Sequence, residues 1–222
     1  MTPLVRDHYF CVLLNHAHYV ISVTVSFPLV DDPKTSLLAW TTTPWTLPSN
    51  LALCVHPDYT YIKIHDQDRD QNFILHEALL RTLYKDPKKA KFKKIGQFQG
   101  ADMKGWRYVP LFEYFTEKVV YIQILEVPSS AEFVPFVPQF EDKAFRVVVD
   151  TYVTSADGTG IVHQAPAFGE DDHRIAIAND VLRSDEMPPC PIDDAGHFTQ
   201  EVPDFVGLHV KVSLSSCPLK QI

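Results

Sequence analysis

The first half of the chain alternates between apolar and polar positions. "ISVTVSFPLV" at 21–30 changes character residue by residue, as a half-buried strand does, and "SLLAWTTT" follows the turn-prone "DDPK". "LALCVHPDYTYIKIHD" reads as two more strands joined at His56-Pro57-Asp58. "NFILHEALLRTLY" (72–84) spaces its apolar residues helically, and the lysine-rich "YKDPKKAKFKKIG" ends that helix. Downstream, "YVPLF", "KVVYIQILEV", "AFRVVVDTYVT" and "GTGIVHQAP" are β-branched and strand-like, with Asp157-Gly158 predicting a hairpin turn between the last two. "EDDHRIAIANDVLR" is the second predicted helix, with acids in the first turn where the helix dipole favours them. The pattern predicts a mainly β body, a barrel or strongly bent sheets, decorated by two or three α-helices.

Composition narrows this little. Over 222 residues, 45% hydrophobic and 22% charged is ordinary for a globular chain. Seventeen prolines against eight glycines favour rigid turns and short strands. A formal charge of −8 opposes nucleic-acid binding by bulk charge, though not by a local basic face. Cys11, Cys54, Cys190 and Cys217 form no C-x-x-C pair, so no zinc or disulfide framework is expected and a reducing cytosol is the default. No apolar run approaches the ~20 residues a membrane helix needs, and the first residues lack the basic start of a signal peptide.

Three segments carry candidate chemistry. In "WTTTPWTLPSN" (40–50), strand alternation puts Thr41 and Thr43 on one face and Thr42 on the other, and Pro44 ends regular pairing because it has no N–H. An edge strand ending in a proline turn, with Trp40 and Trp45 in the core, explains this segment taken alone. "GTGIVHQAPAFGEDDHRIA" (158–176) carries His163 on a strand and Glu170, Asp171 and Asp172 in a helix's first turn. There a carboxylate caps the helix or, turned into a cleft, holds an ammonium group. His163 could be a core histidine, a general base or a wall; a metal held by His163, Asp171 and His173 has no recognised spacing. "YKDPKKAKFKK" places Lys85, Lys88, Lys89, Lys91, Lys93 and Lys94 together, either a solvated face or the one place where local charge favours phosphates.

Taken together, "LLAWTTTPWTLPSNLA" and "GTGIVHQAPAFGEDD" resemble the two signature segments of the editing domain inserted into isoleucyl-tRNA synthetases, of the eukaryotic cytosolic type. "MKGWRYVPLFEYF", "AFRVVVDTYVT" and "DEMPPCPIDDAGHFTQEVPDFVGLHVK" resemble the same domain, so the likeness covers about residues 22–211. It implies a β-barrel-rich deacylase that removes valine wrongly attached to the isoleucine tRNA. One methylene in an apolar pocket yields only ~1–3 kcal/mol of discrimination, isoleucine against valine being the standard illustration, so a second, size-excluding site is needed. The resemblance gives Asp172 the substrate's α-ammonium, the wall Thr41, Thr42 and Thr43 the aminoacyl group and the attacking water, and His163 the limit on side-chain size. It extends substrate contact to Trp40, Thr46, Asn50, Gly158, Thr159 and Gly160, and leaves Lys88, Lys89 and Lys91 as candidate tRNA contacts. No nucleophile, metal or cofactor is expected for editing, ATP being used only by the parent synthetase. The proton passes through His163 or through a substrate hydroxyl; the sequence leaves both open.

The resemblance stops short of aminoacylation. No HIGH-like or KMSKS sequence is present, so ligase activity is not expected, and a fragment of a larger enzyme, whose catalytic core would be the domain's partner, is. Residues 1–21 and 212–222 do not resemble the family and are expected to be poorly ordered. A free-standing trans-editing deacylase and a non-catalytic tRNA- or protein-binding remnant of the same fold are the alternatives.

Overall fold

The computed structural model describes residues 11–15, 21–84, 86–116, 140, 142–156 and 158–211. Among them the order is β1 (Cys11–Asn15), β2 (Ile21–Pro28), β3 (Thr35–Thr41), β4 (Ala52–Val55), β5 (Thr60–Asp66), β6 (Gln71–His76), α1 (Leu80–Leu83), β7 (Phe92–Gln99), β8 (Arg146–Val149), β9 (Ile161–Gln164) and α2 (Glu170–Ala178). A six-stranded sheet runs β1-β2-β3-β6-β5-β7 and a three-stranded one β8-β4-β9. The chain is mainly β, as its pattern predicts.

Local chemistry sets the turns of the larger sheet. Between β2 and β3, Asp32 Oδ2 accepts from Thr35 Oγ1 (2.6 Å) and from Lys63 Nζ on β5 (2.8 Å), closing the turn and tying it to the sheet. Between β5 and β6, the buried Asp66 accepts from the Asp68 and Arg69 backbone N–H groups (3.0 Å each), from Arg69 Nη1 and from Tyr84 Oη (both 2.7 Å). Burial pushes this carboxyl up, but those four donors outweigh it and hold it below the usual range.

The smaller sheet is built around β4, parallel to β8 and antiparallel to β9, with Leu53 opposite both Val147 and His163. All four β4 side chains are buried, as a strand covered on both faces requires. The two sheets are stitched along both margins, which gives the body its barrel character. On one side the bridges Leu29↔Tyr108 and Arg107↔Arg146 join β2 to β8. On the other, His76 N donates to Thr159 O (2.8 Å) and Tyr61 Oη to Gly160 O (2.7 Å). Inside lie Phe27, Leu37, Leu53, Tyr61, Ile74 and Val147, and Ile175 brings α2 against them.

Several expectations give way. Residues 72–76 of the predicted helix belong to strand β6, leaving only a 3-10 turn at Glu77–Leu79 and the single turn of α1. Ile74 faces the main core while Phe73 and Leu75 face a second cluster with Leu38, Ile62 and Ile64. A strand buried on both faces loses its alternation and reads as a helix. The hairpin expected at Asp157-Gly158 does not form, because β4 lies between β8 and β9; Asp157 itself lies outside the described residues. "YVPLF" contributes a single bridge residue, Tyr108, with Pro110 unable to donate to a ladder. The lysine-rich stretch supplies edge strand β7, where lysines discourage further pairing. In the N-terminal flank, Cys11–Asn15 pairs antiparallel with β2. "KVVYIQILEV" and the tail 212–222 lie outside the described residues. No described helix is long and apolar enough to cross a membrane.

Candidate active site

β3 stops at Thr41, and the chain leaves the sheet into a 3-10 turn at Pro44–Ser49 whose first residue is proline. The three threonines sit at that exit: Thr41 is buried, Thr42 and Thr43 exposed. Thr41 Oγ1 accepts from Thr43 N (3.0 Å) and lies 3.2 Å from Thr43 Oγ1, so these two share a face as alternation predicts. Thr46, one turn on, donates its hydroxyl to Thr43 O (2.8 Å) and lies 3.1 Å from His163 Nε2.

This geometry fixes the histidine. The single Thr46 proton goes to Thr43 O, so Nε2 of His163 carries the hydrogen and donates to Thr46 Oγ1. Nδ1 is then a bare acceptor, and it is buried with no partner among the described residues. Burial pushes His163 down to about 4 from an ordinary 6.5, so the ring is neutral near pH 7. Between those two values the unfolded chain takes up a proton here that the native chain does not. The stability that His163 contributes should therefore fall by about 3 kcal/mol as pH drops from 6.5 to 4, with the raised Asp172 acting in the opposite direction. The lowered carboxylates Asp32, Asp66 and Asp150 lose their contributions only below the usual 3.8. Urea midpoints at pH 6.5 and 4.5 check this: His163→Asn should flatten the slope.

Across a cavity of about 630 Å³ from this pair lies the start of α2. Asp172 folds back over Gly169, where an added Cβ would sit 3.0 Å from its Cγ, and its Oδ2 accepts from Ala165 N (2.9 Å). Oδ1 accepts no hydrogen bond among the described residues. Burial raises this carboxyl, the Ala165 N–H partly offsets that, and neighbouring Asp171 adds to the rise. Trp40, Thr41, Thr42, Thr43, Thr46, Gly158, Thr159, Gly160, His163 and Asp172 all line the cavity. Gly158 (φ +79) packs its backbone on Trp40, and an added Cβ would meet that ring at 3.1–3.3 Å.

The remaining named residues stand apart. Asn50 does not line the cavity; its Nδ2 donates to Ala52 O (2.9 Å) and its Oδ1 accepts from the buried Tyr108 Oη (2.7 Å). Lys88, Lys89 and Lys91 are also outside it, and acids neutralise much of the basic stretch: Asp86 beside Lys89 (3.6 Å), Asp68 beside Lys91 (3.3 Å), Glu77 beside Lys94 (2.7 Å). Lys85 lies outside the described residues. His163, Asp171 and His173 form no metal cluster, nor does any set of three such residues among those described. Two lining residues carry no sequence signal of their own. Phe168 packs edge-on against Trp45 (5.0 Å), and Tyr152 Oη accepts from Gln164 Nε2 (2.6 Å). Cys54, beneath the site on β4, is pushed well up by burial and holds its proton.

No family model matches the chain. Over 190 residues it is 49% identical to the cytoplasmic isoleucine–tRNA ligase of Saccharomyces cerevisiae and 47% identical to that of Mus musculus, covering 86% of this chain each time. It spans only 16% and 13% of the length of those relatives. Its fold matches the crystal structure of GlLeuRS-CP1 with a TM-score of 0.51 at 17% identity, covering 88% of this chain and 77% of that one.

Proposed function

Because most of this chain is homologous to one stretch of isoleucine–tRNA ligases, we propose that it is their editing unit, a deacylase that hydrolyses the ester of valine mischarged on the isoleucine tRNA. The observation that carries this reading is the convergence of Thr41–Thr43, the Thr46–His163 pair and the Asp172 carboxylate, from two segments more than a hundred residues apart, on one ligand-sized cavity. Oδ1 of Asp172 receives the α-ammonium in a charge-assisted bond. The threonine hydroxyls hold the ester and the attacking water. His163, neutral and buried, is the wall that a longer side chain would strike.

No protein nucleophile takes part. An aminoacyl ester is already activated, so orienting it against a water supplies most of the rate. Nε2 of His163 carries a proton pledged to Thr46, and Nδ1 is sealed from the cavity. The substrate's own ribose hydroxyl is therefore the better route for the proton than the imidazole. No cofactor enters. The whole synthetase, its ATP chemistry and its catalytic core belong to the longer relatives, whose printed name, cytoplasmic, supports the same setting for this chain.

Single-turnover hydrolysis by the full chain tests the reading, with valine-charged and isoleucine-charged isoleucine tRNA side by side. Loss of valine with isoleucine retained is the expected result. High enzyme concentration is needed, because lysines paired with acids give this chain little electrostatic pull on tRNA. A folded chain that releases neither amino acid, or both equally, would sink the proposal.

A further inference from the structure

Three carboxylates, Glu170, Asp171 and Asp172, line the end of the cavity where α2 begins, and one guanidinium ties Asp171 to a fourth, Asp150, outside it. Arg174 donates to Asp150 from Nη1 and Nη2 (2.9 and 3.2 Å) and to Asp171 from Nη2 and Nε (3.1 and 3.3 Å). Asp150 follows β8 while Asp171 is in the first turn of α2, so this side chain fastens the helix to the smaller sheet. Asp171 and Asp172 both line the cavity, one residue apart. We infer that Arg174 is a positioning residue for editing: by occupying Asp150 and Asp171 it leaves Asp172 to receive the substrate's ammonium and so sets the ester's register against Thr41–Thr43. This rests on the editing reading above.

The choice of carboxylate matters because of geometry. An ammonium seated on Asp171 shifts the ester sideways, and a displacement of ~1 Å is enough to spoil an oriented attack. The remaining acid, Glu170, also lines the cavity but is exposed, so solvent and salt weaken its pull. Three more titratable groups around the cavity carry no charge near neutral pH. Burial raises Cys54 on β4 and Tyr152 after β8, and lowers His163 on β9. His173 sits beside Asp172 on α2 itself. Asp171 is thus the competitor that needs an occupant, and Arg174 reaches it without leaving Asp150.

Arg174→Gln frees Asp171, and substrate then divides between a productive and a non-productive seat. Non-productive binding lowers kcat and KM by the same factor, expected to be about fivefold, the worth of one exposed ion pair, and leaves kcat/KM nearly unchanged. Adding Asp171→Asn to Arg174→Gln should restore both constants, while Arg174→Lys restores them only in part because an ammonium lacks the fork that spans two carboxylates. Loss of kcat/KM that Asp171→Asn does not rescue would reduce Arg174 to a structural strut and overturn the inference.

A second readout needs no turnover. The full chain, carrying ¹³C-labelled aspartate, is titrated with 3′-valylamino-3′-deoxyadenosine, whose amide cannot be hydrolysed as the ester is. In the native chain the probe should move the Asp172 carboxyl resonance alone, and in Arg174→Gln those of Asp171 and Asp172 together. Movement of both in the native chain overturns the role given to Arg174 while leaving the editing reading intact. A folded native chain that ignores the probe overturns the editing reading and the inference with it.

Discussion

Asp172→Asn is expected to lower kcat/KM for release of valine by about 10²–10³-fold while the domain stays folded. The asparagine oxygen can still accept from Ala165 N–H, so the start of α2 keeps its anchor. What disappears is the negative charge opposite the ammonium. Truncating one side of a partly desolvated charge pair costs about 3–4 kcal/mol, hence the two to three decades. Stability should move the other way. The native carboxyl is raised, so at pH 7 the folded chain holds a charge that burial disfavours. As pH falls through the raised native value, protonation favours the folded state; as it rises, the charge works against it. Asp172→Asn removes that penalty and should melt no lower than the native chain at pH 7. A variant that keeps more than a tenth of native kcat/KM would show that the ammonium is read elsewhere.

Gly160→Ala carries a large expected cost in stability. This glycine has φ +73, and a Cβ there would lie 2.4 Å from the Cβ of His76. Neither side can retreat. His76 is stacked on Tyr59 at 4.7 Å, its Nδ1 is bonded to Thr60 O (2.9 Å), and its backbone donates to Thr159. Gly160 O in turn holds the Tyr61 hydroxyl. The left-handed backbone costs an alanine about 1–2 kcal/mol and the clash about 1–3 more. Together they should lower the melting temperature by about 10 °C, at ~2–4 °C per kcal/mol for a chain of this size. Gly207→Ala is the control: its φ is +75, but nothing lies within 4 Å of the added carbon. Equal melting of the two variants would remove the steric part of the argument.

The contrast between Thr41–Thr43 and His163 shows what the sequence could and could not disclose. The threonines, Pro44 and Thr46 lie in one contiguous run, so alternation and the missing proline N–H already place the hydroxyls at a strand exit. The partner of Thr46 is 117 residues away, and no local pattern marks that pairing. Asn50 shows the opposite error. It closes the motif and is read as a contact, yet its side chain is spent on Ala52 and Tyr108. The lysines mislead for a similar reason: sequence counts charge, while Asp68 and Glu77, which fold beside Lys91 and Lys94, are distant in the chain. Within α2, by contrast, the acids of the first turn and the apolar spacing are local signals, and the helix starts where they place it, though it ends at Ala178, short of the Arg183 the pattern reaches, because Asp180 turns to φ 56.

The pairing of β4 with β8 and β9 also sets the order in which the domain can be made. Residues 52–55 wait for 146–149 and 161–164, and β5, β6 and β7 are synthesised in between. Closing so long a loop comes late and slowly, because its entropy is spent before the contacts reward it. On a ribosome adding about 5–20 residues per second, the 117 residues from Thr46 to His163 take roughly 6–23 s. Through that interval the threonines stand at the end of a strand with nothing opposite them. A nascent chain ending before β9 would hold most of its strands and no site at all.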